Sequence, residues 1–334
     1  MLIESLLRVS DIVVDIQGSR VLRGVSLDVG AGELVCLVGR NGAGKTTTFR
    51  TIMGFCRPVH GAVRFDGSDV TGRRPHEIAK RGIGYAPEES EVFGDLTVAE
   101  NIAMPTWTCP GGRDTQVRID DAYRVFPGLA RYRDRGGHML SGGERKMVSI
   151  ARALALDPAL IIYDEAVSSL DVLIRAQVLN LLERLRSELS LTYLFIAHDL
   201  ALVKQVSDRV AVMYLGKLVE IGPAESLYRE PLHPYTVALL ASIPNPDPTA
   251  PRAPAGQTIH GEPPSPIDPP SGCRFRTRCP RAQDVCAAEE PPLRKLADGH
   301  FAACHFPVSR DPLQAAGREP ARLSGGQHGP ATTD

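Results

Sequence analysis

The stretch GRNGAGKT, Gly39 to Thr46, constrains this chain more than any other. It fits G-x-x-x-x-G-K-[ST], and its flanks supply the context that pattern needs. ELVCLVG before it reads as a buried strand and TTFRTIMGF after it as a helix. Gly39, Gly42 and Gly44 let the backbone turn tightly, so that amides from Arg40, Asn41, Ala43 and Thr47 can face a phosphate at a helix N-terminus. Lys45 is placed to reach β- and γ-phosphates, and the Thr46 hydroxyl to sit on Mg²⁺. Without those flanks the segment would be a glycine-rich turn with a chance lysine.

A strand feeding a phosphate loop predicts an α/β core, and the rest of the first 230 residues agrees. The apolar runs ALIIYDE and LTYLFIAH alternate with segments of helical periodicity, as a largely parallel sheet requires. IIYDE delivers Asp164 to the end of a strand, where its carboxylate can hold Mg²⁺, and Glu165 beside it suits the polarisation of an attacking water. Alone, two adjacent acids are a solvated turn; after a phosphate loop they complete a nucleotide site. The net charge of −1 argues against a surface built for polyanions. The apolar runs are broken before the length of about 18 residues that a membrane helix needs. The start, MLIESLLRVSDIVVDI, lacks the basic opening of a secretory signal, so the reading is a cytosolic chain with reduced thiols.

LSGGERKMVSIARAL begins at Leu140, just before the acidic strand. Ser141 is a good helix cap, Gly142 and Gly143 expose amides, and Glu144 completes a capping box. Alone it would be a cap. The order phosphate loop, LSGGE, hydrophobic-DE, SSLD and AHD, however, resembles the ATP-binding cassette family over residues 7–223. The resemblance implies a P-loop cassette with a RecA-like parallel core, an antiparallel β subdomain and a helical insert near 89–155. It also implies head-to-tail pairing, with the phosphate loop of one cassette and the LSGGE of the other enclosing each ATP. His198 would then contact the γ-phosphate, and Asp171 of SSLD would communicate across the pair.

Three positions depart from the family pattern. Glu88 in IGYAPEES stands where glutamine is usual, yet a carboxylate can still ligate Mg²⁺ or orient water. The aromatic residue that usually stacks on adenine falls near Ile16, which predicts weaker base stacking. Ala166 replaces the usual proline after the DE pair.

The flanks bear on what is moved. VSSLDVLIRAQVLNLL, YLFIAHDLALVKQVSDRVAVMYLGKLVEIGP, LYREPLHPYT and IPNPDP resemble oligopeptide and dipeptide importer ATPases. FDGSDVTGRR and IGYAPEESEVFGDLTVAENI resemble those of branched-chain amino-acid importers. Peptide import is favoured because the first resemblance is longer. The alternatives are branched-chain amino-acid import and a non-hydrolysing structural half of a heterodimer. Cassettes that act on DNA or ribosomes carry long coiled coils or two cassettes in one chain, and neither is visible, so no nucleic acid is expected. The implied partners are two membrane permease subunits, a second cassette and, indirectly, a solute-binding protein, at the cytoplasmic face of the inner membrane.

Composition changes near residue 231, where frequent proline precludes long helices and central strands. Residues 231–310 read as a small extension and 311–334 as a disordered tail. CRFRTRCPRAQDVC and a later ACHFP place Cys273, Cys279, Cys286 and Cys304 with five, six and seventeen residues between them. Tetrahedral zinc sites usually show C-x₂₋₄-C knuckles, and these spacings have none. Zinc, an iron–sulfur cluster and unliganded thiols remain open from spacing alone. The peptide-importer resemblance implies a [4Fe–4S] cluster on these four cysteines. Arg274, Arg276, Arg278 and Arg281 are expected to surround it. Cys36, Cys56 and Cys109 read as isolated residues.

Overall fold

The computed structural model describes residues 5–109, 113–164, 186, 191–197, 199–243, 262 and 264–308. In chain order the elements are β1 (Ser5–Ile16), β2 (Ser19–Gly30), β3 (Leu34–Val38), α1 (Lys45–Ile52), β4 (His60–Phe65), β5 (Ser68–Asp69), α2 (Pro75–Ala79), β6 (Ile83–Ala86), α3 (Val98–Thr108), α4 (Thr115–Val125) and α5 (Gly142–Leu154). Then come β7 (Leu160–Tyr163), β8 (Thr192–Ile196), α6 (Leu200–Val206), β9 (Arg209–Tyr214), β10 (Lys217–Pro223), α7 (Ala224–Arg229), α8 (Pro234–Leu240), α9 (Asp284–Ala288), β11 (Arg294–Ala297) and β12 (His300–Ala302).

An antiparallel sheet runs in the order β2-β1-β4-β5. Leu7 and Val9 bury one face of β1, but the next buried residues are Ile12 and Val14, one position out of phase. Asp11 takes up the extra residue with φ 47°, and the register shifts between Val9 and Ile12. That bulge keeps both apolar pairs on the core side. The hairpins at Gln17–Gly18, Asp66–Gly67 and Leu215–Gly216 have both central residues at positive φ, the geometry that two-residue turns favour.

The second sheet runs β11-β12-β10-β9-β3-β8-β7-β6, with β9 through β6 parallel. Every residue of β3, β7 and β8 is buried, as expected of strands covered on both faces. Alternate residues of β3 serve two cores. Val35 and Leu37 pack toward α1 and the antiparallel sheet, whereas Cys36 and Val38 pack toward α3 and α5. This sheet therefore carries the phosphate loop at one end of β3, with α5 across one face.

The proline-rich segment joins the same sheet. β12 pairs antiparallel with β10 through Glu220–Ala302 and Ile221–Phe301, and β11 pairs with β12. Short edge strands and a proline at the first position of α8 are what such a composition permits.

Candidate nucleotide site and its ties to the C-terminal segment

The loop from Gly39 to Thr46 links β3 to α1. Gly39 sits at φ 151°, and a Cβ there would lie 2.3 Å from Met213 O, so no other residue fits. Gly44 takes a left-handed φ of 104° and caps α1 without a side-chain hydrogen bond or a first-turn acid. The helix thus presents its amides and positive dipole end to the loop, an arrangement suited to an anion. Lys45 Nζ donates to Gly39 O at 2.8 Å and Arg40 O at 3.2 Å. A cleft of about 410 Å³ is lined by Val21, Asn41, Gly42, Gly44, Lys45, Thr46, Thr47 and Glu88. Val21 lines this cleft, while Ile16 stands at the end of β1 and is 37% exposed.

Asp164 follows β7 and is buried. Its Oδ1 accepts from Thr46 Oγ1 at 3.2 Å and its Oδ2 from Tyr85 OH at 3.3 Å. Burial, and then the Asp164 charge, push the Tyr85 phenol well above its ordinary range, so it remains a donor. A hydroxyl and a carboxylate at contact distance, with Glu88 on the same cleft, form a hard oxygen set that fits Mg²⁺. Glu165, Asp171 and His198 lie outside the described residues, as does the 311–334 tail.

The N-terminus of α5 carries Ser141 as cap. Ser141 Oγ accepts from Glu144 N at 3.3 Å, and Glu144 Oε2 accepts from Ser141 N at 2.7 Å. This capping box holds the Glu144 carboxyl below the usual carboxylate range. Leu140 is buried and anchors the turn, whereas Ser141 and Gly142 are exposed and Gly143 half-buried, so the cap and its amides face outward.

A residue that the sequence reading missed ties this helix to the site. Lys146 is 1% exposed, and its Nζ donates to Pro87 O at 2.8 Å, Glu88 O at 3.1 Å and Asp164 O at 3.1 Å. Arg152, farther along α5, donates to Glu91 O at 2.8 Å and Ser90 O at 3.2 Å. Ser90 and Glu91 both hold positive φ, so the Glu88 loop is a strained turn clamped by two cations from one helix. Lys146 shares the buried stripe of α5 with Ser149, Ile150 and Ala153, and a charge on an apolar stripe was the available signal.

The C-terminal segment reaches the loop directly. Tyr235 OH of α8 accepts from the Arg40 amide at 3.1 Å. Its ring lies 4.6 Å from that of Tyr214 and 5.5 Å from that of Phe275, which sits between Cys273 and Cys279. His233 caps α8, its Nδ1 accepting from Tyr235 N at 3.0 Å, and burial lowers its pKa to about 4, leaving the ring neutral for that role. Glu220 of β10 is fully buried; its carboxylate accepts from Leu232 N, His233 N and His300 Nε2, each at 2.8 Å.

The four extension cysteines lie near one another. Burial raises the Cys273 and Cys279 thiols and pushes Cys304 up to about 12, and in each case neighbouring thiol charges add to the rise. Among the described residues, however, no group of three or more His, Cys, Asp and Glu side chains is arranged to hold a metal ion. Cys273 and Cys279 pack as part-apolar groups against the core that contains Phe275. Arg274, Arg276 and Arg281 lie beside thiols, Arg274 also donating to Leu215 O at 3.4 Å, and Arg278 lies by Tyr214.

A phosphate cradle on a parallel sheet, a carboxylate touching its threonine and an outward-facing serine–glycine cap on a helical insert together define a nucleotide-hydrolysing cassette. Residues 22–168 match the ABC transporter family, and residues 219–286 match the oligopeptide/dipeptide transporter C-terminal region. A probable peptide ABC transporter ATP-binding protein of Sinorhizobium fredii is 42% identical over 91% of this chain and 87% of its own length. The oligopeptide transport ATP-binding protein of Salmonella typhimurium is 42% identical over 87% of this chain and 88% of its own. Among solved structures, the ADP conformation of an ATP-binding cassette of an ABC transporter covers 72% of this chain and 99% of its own, with a TM-score of 0.61 and 26% identity. The chain belongs to the ABC transporter ATPases that carry the oligopeptide/dipeptide transporter C-terminal region. The matches at 42% identity run through the front half as well as the tail.

Proposed function

We propose that this chain is the ATP-hydrolysing subunit of an importer for di- and oligopeptides. The carrying observation is that a phosphate cradle and the peptide-transporter C-terminal region form one structure, with Tyr235 on the loop and β12 in the core sheet. In this reading Lys45 and the α1 amides bind the β- and γ-phosphates. Thr46, Asp164 and Glu88 would hold Mg²⁺, which would neutralise phosphate charge. A water oxygen attacks the γ-phosphorus while Glu165 takes its proton, and the bond to the ADP oxygen breaks. His198 stabilises the γ-phosphate. Leu140 to Glu144 of a second cassette close the site, with Asp171 as the contact between the two. Among the described residues no helix is long and apolar enough to cross a membrane, which fits a peripheral subunit on the cytoplasmic side of two permease subunits. A solute-binding protein delivers the peptide.

The test is reconstitution of the chain with peptide-importer permeases in vesicles. Uptake of labelled oligopeptide should require ATP, and Glu165→Gln should abolish uptake and turnover while ATP binding persists. Uptake of leucine but not of peptide would overturn the substrate assignment. Undiminished hydrolysis in Glu165→Gln would remove that residue as base.

The mutual proximity of the four thiols, with Arg276 and Arg281 beside them, supports a [4Fe–4S] cluster as the finer reading of the extension. Loading would need the thiols deprotonated and drawn together. Anaerobically purified protein should be brown, with about four irons per chain. Colourless, iron-free protein would sink this reading.

A further inference from the structure

We infer that Tyr235 is a positioning residue for the phosphate loop, and that the cysteine-bearing segment holds Tyr235 in place through Phe275. The loop and Tyr235 are 195 residues apart in sequence, yet the Arg40 amide donates to the Tyr235 hydroxyl at 3.1 Å. The other side of Arg40 is fixed as well: its carbonyl accepts from Ala43 N at 3.1 Å and from Lys45 Nζ at 3.2 Å. Tyr235 thus anchors the residue on which the phosphate-binding lysine rests.

Tyr235 has little freedom of its own. It is fully buried, and its ring is held between Tyr214, at the end of β9, and Phe275. Phe275 is 1% exposed and meets Tyr214 edge-on at 5.5 Å, so the three rings form one closed cluster. Phe275 lies two residues after Cys273 and four before Cys279. A second tie runs parallel to the first. Arg274 donates to Leu215 O, and the next amide in that turn, Gly216 N, donates to Ala43 O at 2.9 Å. The extension therefore reaches the loop directly at Arg40, and at Ala43 through the turn between β9 and β10.

A loop held in its phosphate-binding shape binds ATP without first being ordered, and that advantage appears in affinity more than in the chemical step. The inference rests on the nucleotide reading of the cleft. A wild-type chain that does not hydrolyse ATP would sink that reading. Given wild-type turnover, Tyr235→Phe retains the ring packing and removes only the acceptor. It should raise the KM for ATP and the Kd from calorimetry about three- to tenfold, the worth of one hydrogen bond, with kcat within about twofold. Phe275→Leu, which keeps the site apolar but loosens the ring contact, should move KM in the same direction. Loss of folded protein would lower apparent kcat and leave KM unchanged, so the split separates positioning from mere stability. An unchanged KM in Tyr235→Phe would overturn the role of the tyrosine. An unchanged KM in Phe275→Leu alone would overturn the role of the extension.

Discussion

Lys146 ties two parts of the site together through one side chain. Its ammonium gathers three carbonyls, two from the Glu88 loop and one from Asp164. Lys146→Met would fill the same stripe but leave those carbonyls buried without this donor. Stability should fall by about 1–3 kcal/mol. ATPase activity should fall further than the folded fraction accounts for, because Glu88 and Asp164 lose their common tether. Denaturant unfolding and steady-state hydrolysis read the two effects separately, and a full-rate variant would refute the tether. At this scale the sequence was legible where chemistry is local. Gly39, Lys45, Thr46 and Asp164 announce themselves within a strand–loop–helix context. Lys146 and Tyr235 do not, because what makes them functional is a partner 18 to 195 residues away.

Among elements, the hairpin between β9 and β10 is the one that joins separate parts of the site. Gly216 N donates to Ala43 O, Gly216 O accepts from Arg23 N, and Leu215 O accepts from Arg274. Gly216 takes φ 80°, and a Cβ there would lie 2.2 Å from Val21 O, a backbone atom that cannot step aside. Gly216→Ala should therefore cost about 2 kcal/mol or more and displace the turn from the loop. A lower midpoint of thermal unfolding with a raised Kd for ATP is the expected pair of results. The strands β3, β7 and β8 were legible because burial on both faces writes an unbroken apolar run. β11 and β12 were not: they are short, and their place in the sheet depends on β12 pairing with β10 and β11 with β12 rather than on any period of their own. Phe275, likewise, reads as one apolar residue in a basic run until its rings are seen to meet.

For the molecule as a whole, the change in composition near residue 231 marks a chemical boundary that the main sheet crosses. The cassette's antiparallel strand β10 receives β12, and a cavity of about 260 Å³ lies along the seam between Ser26, Lys217, Cys273 and Glu290. Lys217 and Glu290 form an ion pair across it. β2 thus lines both cavities, through Gly24 and Ser26 at the seam and through Val21 at the phosphate loop.

Glu220 gives this arrangement a consequence in time. The three hydrogen-bond partners of its buried carboxylate all come from residues 232, 233 and 300. On a translating ribosome, β10 emerges about 80 residues before His300 does. Until then the nascent cassette carries a carboxylate destined for the interior with part of its pairing still unsynthesised, and closing the core over it is unfavourable. The segment around His300 therefore completes the pairing of a buried group in the cassette's own sheet, so a copy terminated before it would bury Glu220 one partner short.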